Sequence, residues 1–202
     1  RARGAAGAVQ ISASHNPPPY NGIKLFGGTG RVLDAETGAA IRDAYLAGEA
    51  GWCGFDKIGM VTQETDPHEP HLQKVLETVD SLAIRATGHR VLLDSNHGAG
   101  GILGKRLLEA LGCQIVAVGD VADGQFAHVP EPTAENLAEI ADLVRQQKCA
   151  VGFCQDPDAD RLALVDANGR YIGEEYTLAL CVQRALAHAA PASTIVINGA
   201  TS

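Results

Sequence analysis

The chain has 202 residues, 46% of them hydrophobic and 20% charged, with a formal net charge of −8 at pH 7. That composition describes a globular, soluble protein of one large or two small domains, and the acidic balance argues against a nucleic-acid binder, which carries a basic patch. No apolar run reaches the roughly 18 residues that a membrane helix needs, because Gln183 and Arg184 interrupt the best candidate.

The five cysteines, Cys53, Cys113, Cys149, Cys154 and Cys181, are scattered without a Cys-x-x-Cys pair. This is cytoplasmic usage, with buried single thiols expected for most of them. The chain opens on Arg1 and stops in a strand-like run at 195–202, so it reads as an excerpt of a longer protein, and the missing signal peptide says nothing about targeting.

Taken in order, Val9 and Ile11 form a short β-leaning run that delivers Ser12, Ser14 and His15 into a segment stiffened by Pro17, Pro18 and Pro19. Asn21-Gly22 turns the chain back toward Ile23, Lys24, Leu25 and Phe26. A rigid loop offering a hydroxyl, an imidazole and an ammonium group suits phosphate handling. Taken alone, however, such a stretch reads first as an ordinary polar surface turn. Because adjacent side chains point to opposite faces of extended backbone, His15 is expected to be badly placed as a general base for Ser14.

Further β-like pieces reach Leu33, and Asp34 is placed to cap a helix carrying Ile41, Tyr45 and Leu46. The glycine-rich stretch 48–59 suggests a boundary. A helix is expected from Asp66, with Pro67 in its first turn and Leu72, Val75, Leu76 and Val79 at helical spacing. Strand 91–94, helix 100–111 with Leu103, Leu107 and Leu111 in one stripe, strand 114–118, helix 134–147 and strand 150–153 follow. Such alternation implies a parallel sheet covered by helices. Strand 162–165, an Asn168-Gly169 hairpin turn, Tyr171-Ile172, a helix over 174–189 and a last strand from Thr194 complete the pattern.

Directly after strand 150–153 stand Asp156, Asp158 and Asp160, then Arg161. Three carboxylates at alternate positions repel one another unless a cation lies between them, and ligands bind beyond the carboxyl ends of strands in open α/β sheets. An EF-hand would need glycine at Arg161 and glutamate at Ala167, and an aspartyl-nucleophile phosphatase motif is also absent. A small site for a hard divalent ion remains, with Mg²⁺ as the expected cofactor and Arg161 able to hold a phosphate bidentately. The turn Asp94-Ser95-Asn96-His97-Gly98-Ala99-Gly100-Gly101, with Asp120 beyond it, superficially suits a dinucleotide. Four residues precede its first glycine and Leu103 replaces the third, so a structural βα turn is the better reading.

These elements together resemble the α-D-phosphohexomutase family. Ser12-Ala13-Ser14-His15-Asn16-Pro17 looks like its phosphoserine loop, Asn21-Gly22-Ile23-Lys24 like the following segment, and 156–161 like its metal loop. Further similarity lies at His97-Gly98-Ala99-Gly100, Pro130-Glu131-Pro132 and Gly173-Glu174-Glu175. Two departures stand out: Pro157 and Ala159 occupy positions commonly glycine in the family, and 126–129 is slightly shortened.

The resemblance implies two α/β domains with mixed, largely parallel sheets covered by helices, plus the first strand of a third. Residues 1–55 would be the later part of domain I, 56–190 domain II and 191–202 the start of domain III. It implies a mutase that moves phosphate between the 1- and 6-positions of a hexose, with hexose phosphate and bisphosphate as partners. Phosphoglucosamine or phosphomannose is favoured over phosphoglucose by the Ser-Ala-Ser loop. Phospho-Ser14 with Asp156, Asp158 and Asp160 would bind Mg²⁺, Arg161 would steady the phosphoryl group, and His15 and Lys24 would flank the reacting hydroxyl. The excerpt alone is expected to be inactive. Rival readings are a phosphoserine-dependent sugar phosphatase and a non-catalytic nucleotide-binding module.

Overall fold

A computed structural model describes residues 3–17, 19–187 and 193–196. They form two compact units, one of 3–13 and 20–67, the other of 14–17, 19, 68–187 and 193–196.

In the first unit β1 (Gly7–Ile11) pairs antiparallel with β2 (Ile23–Gly27), Ile11 lying opposite Ile23 and Gln10 opposite Lys24. Helix α1 (Ala35–Ala47) starts as its sequence indicates, with Asp34 Oδ1 accepting from the Thr37 amide at 2.8 Å. It ends at Gly48, whose φ of +70° supplies the left-handed C-cap. The stripe Ile41, Tyr45 and Leu46 is not buried, and Tyr45 is 82% exposed. A two-stranded sheet and one helix leave an open apolar groove between them, lined by Val9, Ile23, Leu25, Val32, Ile41 and Tyr45.

The second unit begins with α2 (Glu69–Leu76), which has a proline, Pro70, in its first turn. The helix expected from Asp66 therefore starts later, and it stops before Val79. There Asp80 accepts from the Ala83 amide and caps a separate helix, α3 (Ser81–Thr87). Then come β3 (Arg90–Asp94), α4 (Gly100–Ala110), β4 (Gln114–Val118), α5 (Ala138–Gln146), β5 (Val151–Gln155), β6 (Leu162–Asp166), β7 (Tyr171–Gly173) and α6 (Glu175–Leu186). The sheet order is β4-β3-β5-β6-β7. β3 pairs parallel with β4 and β5, whereas β5–β6 and β6–β7 are antiparallel.

The sheet is thus mixed, and its second half is a meander. Only six residues, 156–161, join β5 to β6, too few for the crossover that parallel strands require. The strand expected from Thr194 falls mostly outside the described residues, and 193–196 carry no regular element.

β3 is buried on both faces, as parallel central strands are. Leu92 packs with Leu137, Ile140, Val144, Cys149, Cys154, Ala163 and Val165 on the α5 side, while Val91 and Leu93 meet Leu108 on the other. In α4 the buried leucine is therefore Leu108 rather than the stripe of Leu103, Leu107 and Leu111. A Cβ on Gly152 would lie 2.6 Å from Val144 Cγ2, so glycine lets α5 approach β5 closely. Of the thiols only Cys149 and Cys154 are buried. Cys53 and Cys181 are exposed and Cys113 is intermediate, and all five are free of disulfides. Among the described residues no helix is long and apolar enough to cross a membrane.

The carboxyl end of β3 is tied to the segment before Pro130 by buried polar groups. Asn96 Oδ1 accepts from the amides of Ala127 and His128, and its Nδ2 donates to the His128 carbonyl. His128 Nε2 lies 2.9 Å from Asp94 Oδ2, and Nδ1 lies 2.9 Å from the Val129 carbonyl oxygen. Burial opposes charge on this ring, but the hydrogen bond and charge of Asp94, with the Val129 carbonyl, outweigh it and raise His128 above its ordinary value of 6.5. A raised folded value gives stability that is present in full below the unfolded value and lost as pH rises through the folded one. In denaturant titrations, the advantage of the native protein over His128→Gln should therefore be largest at acid pH and shrink as pH rises. A pH-independent difference would show that the Asp94–His128 pair carries no charge.

Candidate active site

The 156–161 loop projects from the end of β5 at the edge where the parallel strands β3, β4 and β5 all terminate. Asp156, Asp158 and Asp160 each offer a carboxylate oxygen within 4.8 Å of the others. Asp156 is fully buried. Its Oδ1 accepts from the Arg161 amide at 3.0 Å, and its Oδ2 lies 3.4 Å from Arg161 Nε. Burial pushes the Asp156 carboxyl up. The Arg161 amide pulls it down, the charges of Asp158 and Asp160 push further up, and the net shift is upward. Arg161 also reaches Glu174, with Nη1 3.7 Å from Oε2. Its Nη2 is buried and finds no hydrogen-bond partner among the described residues. An orphaned guanidinium donor beside three convergent carboxylates suits a cation together with an anion such as phosphate.

Ser14 joins this group. It has a φ of +52°, and its Oγ donates to Asp156 Oδ2 at 3.2 Å. The same hydroxyl lies 3.3 Å from His15 Nδ1. The expectation that His15 is badly placed assumed extended backbone. The left-handed turn at Ser14 instead brings adjacent side chains together. His15 Nε2 in turn lies 3.9 Å from Glu131 Oε1. The site thus gathers Ser14, His15, Asp156, Asp158, Asp160 and Arg161. Lys24 lies on β2 in the first unit.

Glu131 and Glu174 stand in two of the family-like motifs, but sequence reasoning gave neither a role. Their only signal was position, between Pro130 and Pro132 and after Gly173.

The glycine turn before α4 supports the loop from behind. A Cβ on Gly98 would lie 2.5 Å from the Pro157 carbonyl oxygen, and one on Gly100 would lie 2.6 Å from Ala159 Cβ. The Ala99 amide donates to the Pro157 carbonyl at 2.7 Å, and Ser95 Oγ donates to Gln155 Oε1 at 2.9 Å. Gly98 and Gly100 thus serve close packing against the aspartate loop, and Asp120 is engaged by Lys105 at 3.0 Å. Ala159 has a φ of +58°, which explains why glycine suits that position and what alanine costs there.

Two variants test this packing by thermal unfolding. Gly98→Ala should destabilise by about 1–3 kcal/mol through overpacking, whereas Ala159→Gly should lose no stability and should gain up to about 1 kcal/mol from relieved strain. The acidic cluster makes a separate, pH-dependent prediction. The raised carboxyl of Asp156 favours the metal-free fold below the unfolded value, and that contribution is lost as pH rises through the folded value. A divalent cation binds the ionised form, so the stabilisation it confers should grow with pH over that window, reaching about 2.7 kcal/mol at a hundred times Kd. Equal stabilisation on both sides of the window would exclude Asp156 as a ligand.

Comparison with known proteins gives concordant matches. A family model described as phosphoglucomutase/phosphomannomutase, alpha/beta/alpha domain I, matches residues 1–51, and its domain II counterpart matches residues 69–169. The chain is 37% identical over 183 residues to the phosphoglucomutase/phosphomannomutase of Thermococcus kodakarensis, covering 90% of this chain and 40% of that protein. It is 30% identical over 189 residues to a probable phosphoglucosamine mutase of Methanopyrus kandleri, covering 93% and 41%. The solved structure of a putative phosphomannomutase from Thermus thermophilus is similar with a TM-score of 0.75 at 26% identity, covering 91% of this chain and 42% of that one. The chain therefore spans about two fifths of the length of the curated relatives it matches.

Proposed function

The chain belongs to the phosphoglucomutase/phosphomannomutase family, and on that premise we propose that it carries the phosphoserine and metal loops of a phosphohexomutase. The whole protein would be an isomerase that interconverts hexose 1-phosphate and hexose 6-phosphate by way of a hexose bisphosphate. Phosphoglucosamine or phosphomannose is preferred to phosphoglucose as substrate, a choice supported by the Ser12-Ala13-Ser14 form of the loop. Residues 1–55 are read as the later part of domain I, 56–190 as domain II and 191–202 as the start of domain III. The spans of the two family models support the first two. We place the protein in the cytoplasm, in keeping with its five free thiols.

In this reading Ser14 carries the phosphoryl group between turnovers. A sugar hydroxyl oxygen attacks phosphorus, the Ser14 Oγ–P bond breaks, and its electron pair stays on Oγ. The hydroxyl proton passes to His15, which returns it to the sugar oxygen freed in the second transfer, and Lys24 has an acid/base or electrostatic role. After the bisphosphate turns round, Ser14 Oγ recovers a phosphoryl group from the other position, so phosphate is conserved. Phospho-Ser14, Asp156, Asp158 and Asp160 would hold Mg²⁺, which would supply charge neutralisation at the phosphoryl oxygens. Arg161 orients the same group, and positioning of this kind carries most of the catalysis in phosphoryl transfer.

The observation that carries the proposal is Ser14 Oγ bonded to Asp156 within the aspartate cluster, beside the orphaned Nη2 of Arg161. Phosphopeptide mapping of the full-length protein should find phosphate on Ser14, and Ser14→Ala should reduce mutase turnover by about three orders of magnitude or more, as loss of a covalent carrier does. Undiminished turnover in Ser14→Ala would sink the proposal. Release of free phosphate in step with substrate loss would point to a phosphatase instead.

A further inference from the structure

We propose that Glu131 is a positioning residue for His15: its carboxylate holds the outer nitrogen of the imidazole so that the inner nitrogen faces Ser14. The inference rests on the mutase reading for its kinetic consequence, but its geometry stands apart from it. His15 is partly exposed and follows a residue in left-handed backbone. The contacts that orient it are Ser14 Oγ, 3.3 Å from Nδ1, and Glu131 Oε1, 3.9 Å from Nε2. A carboxylate on the Nε2 side limits the rotation of the ring and keeps Nδ1 turned toward the serine, as carboxylates orient functional histidines elsewhere.

A separation of 3.9 Å is longer than a hydrogen bond, and a half-exposed pair of this kind adds little binding energy. Its effect depends on the carboxylate being held still, and the segment around it is braced at both ends. Upstream, Asn96 makes three hydrogen bonds to the backbone of 127–128, and Asp94 holds the His128 ring. Downstream, Asn136 Nδ2 donates to the Glu131 carbonyl at 2.8 Å and Tyr171 Oη donates to the Pro132 carbonyl at 2.9 Å. Pro130 is buried, and prolines on both sides of Glu131 restrict its backbone. The segment acts as a strut from the sheet to the serine loop, ending in one charged group.

The test uses full-length protein labelled with ¹⁵N-histidine, with the His15 ring signals assigned by difference against His15→Gln. The native protein should show a single ordered ring state, and Glu131→Ala should lose it. With hexose 1-phosphate, Glu131→Ala should lower kcat about tenfold while KM stays within about twofold, the pattern of an orienting residue. Glu131→Gln keeps an acceptor on the same stem and should recover several-fold of that loss, which a merely structural role would not predict. It also serves for the ring measurement should Glu131→Ala fail to fold. Ring signals unchanged by removal of the carboxylate would overturn the proposal whatever the rates. Because they are read without substrate, they decide it even if product analysis shows phosphate release and overturns the mutase reading.

Discussion

A carboxylate taken out of water is the constraint on which this structure turns. Asp156 is fully buried where β5 ends, with two further aspartates converging beside it. An unpaired buried charge costs several kcal/mol, so its surroundings are built of donors. The Arg161 amide and guanidinium and the Ser14 hydroxyl all point at it. The compensation within the protein is incomplete, since Asp158 and Asp160 add repulsion that Arg161 alone does not cancel. A cation held between the three carboxylates, as proposed, would complete the compensation.

Backbone strain collects at the same place. Of the five non-glycine residues with positive φ among the described residues, Ser14, Asn96, His97 and Ala159 lie in the serine loop, the glycine turn or the aspartate loop. Strained conformations persist only where surrounding contacts over-determine them. Here the contacts are those of Asn96 with 127–128, of Ala99 with Pro157, and of Ser14 with Asp156. The glycines at 98 and 100 serve the same end by absence, since any side chain there would occupy the volume of the aspartate loop. Phosphoryl transfer rewards such rigidity, because it depends on placing charges rather than on making new covalent partners.

The mixed sheet explains how loops so distant in sequence meet. The parallel strands β3 and β5 end at one edge, which brings the glycine turn beside the aspartate loop. The antiparallel return through β6 and β7 then carries Glu174 back to Arg161. A wholly parallel continuation would have placed a crossover helix where the six-residue aspartate loop now lies.

Much of this was legible in the residues themselves. Apolar period and flanking turn signals located every strand of the two sheets, Asp34 announced its helix, and the alternate aspartates marked the end of β5 as a place where carboxylates converge. Local patterns could not show which leucine of α4 faces the core, where α2 breaks, or that β5 pairs antiparallel with β6, since these depend on what packs opposite and on loop length. Nor could they show that Ser14 leaves extended geometry and so brings His15 to its own hydroxyl, or that Glu131 and Glu174 reach the site. A side chain's role there is set by which remote backbone it meets, and that is decided only when β3, β5 and the strut before α5 come together in space.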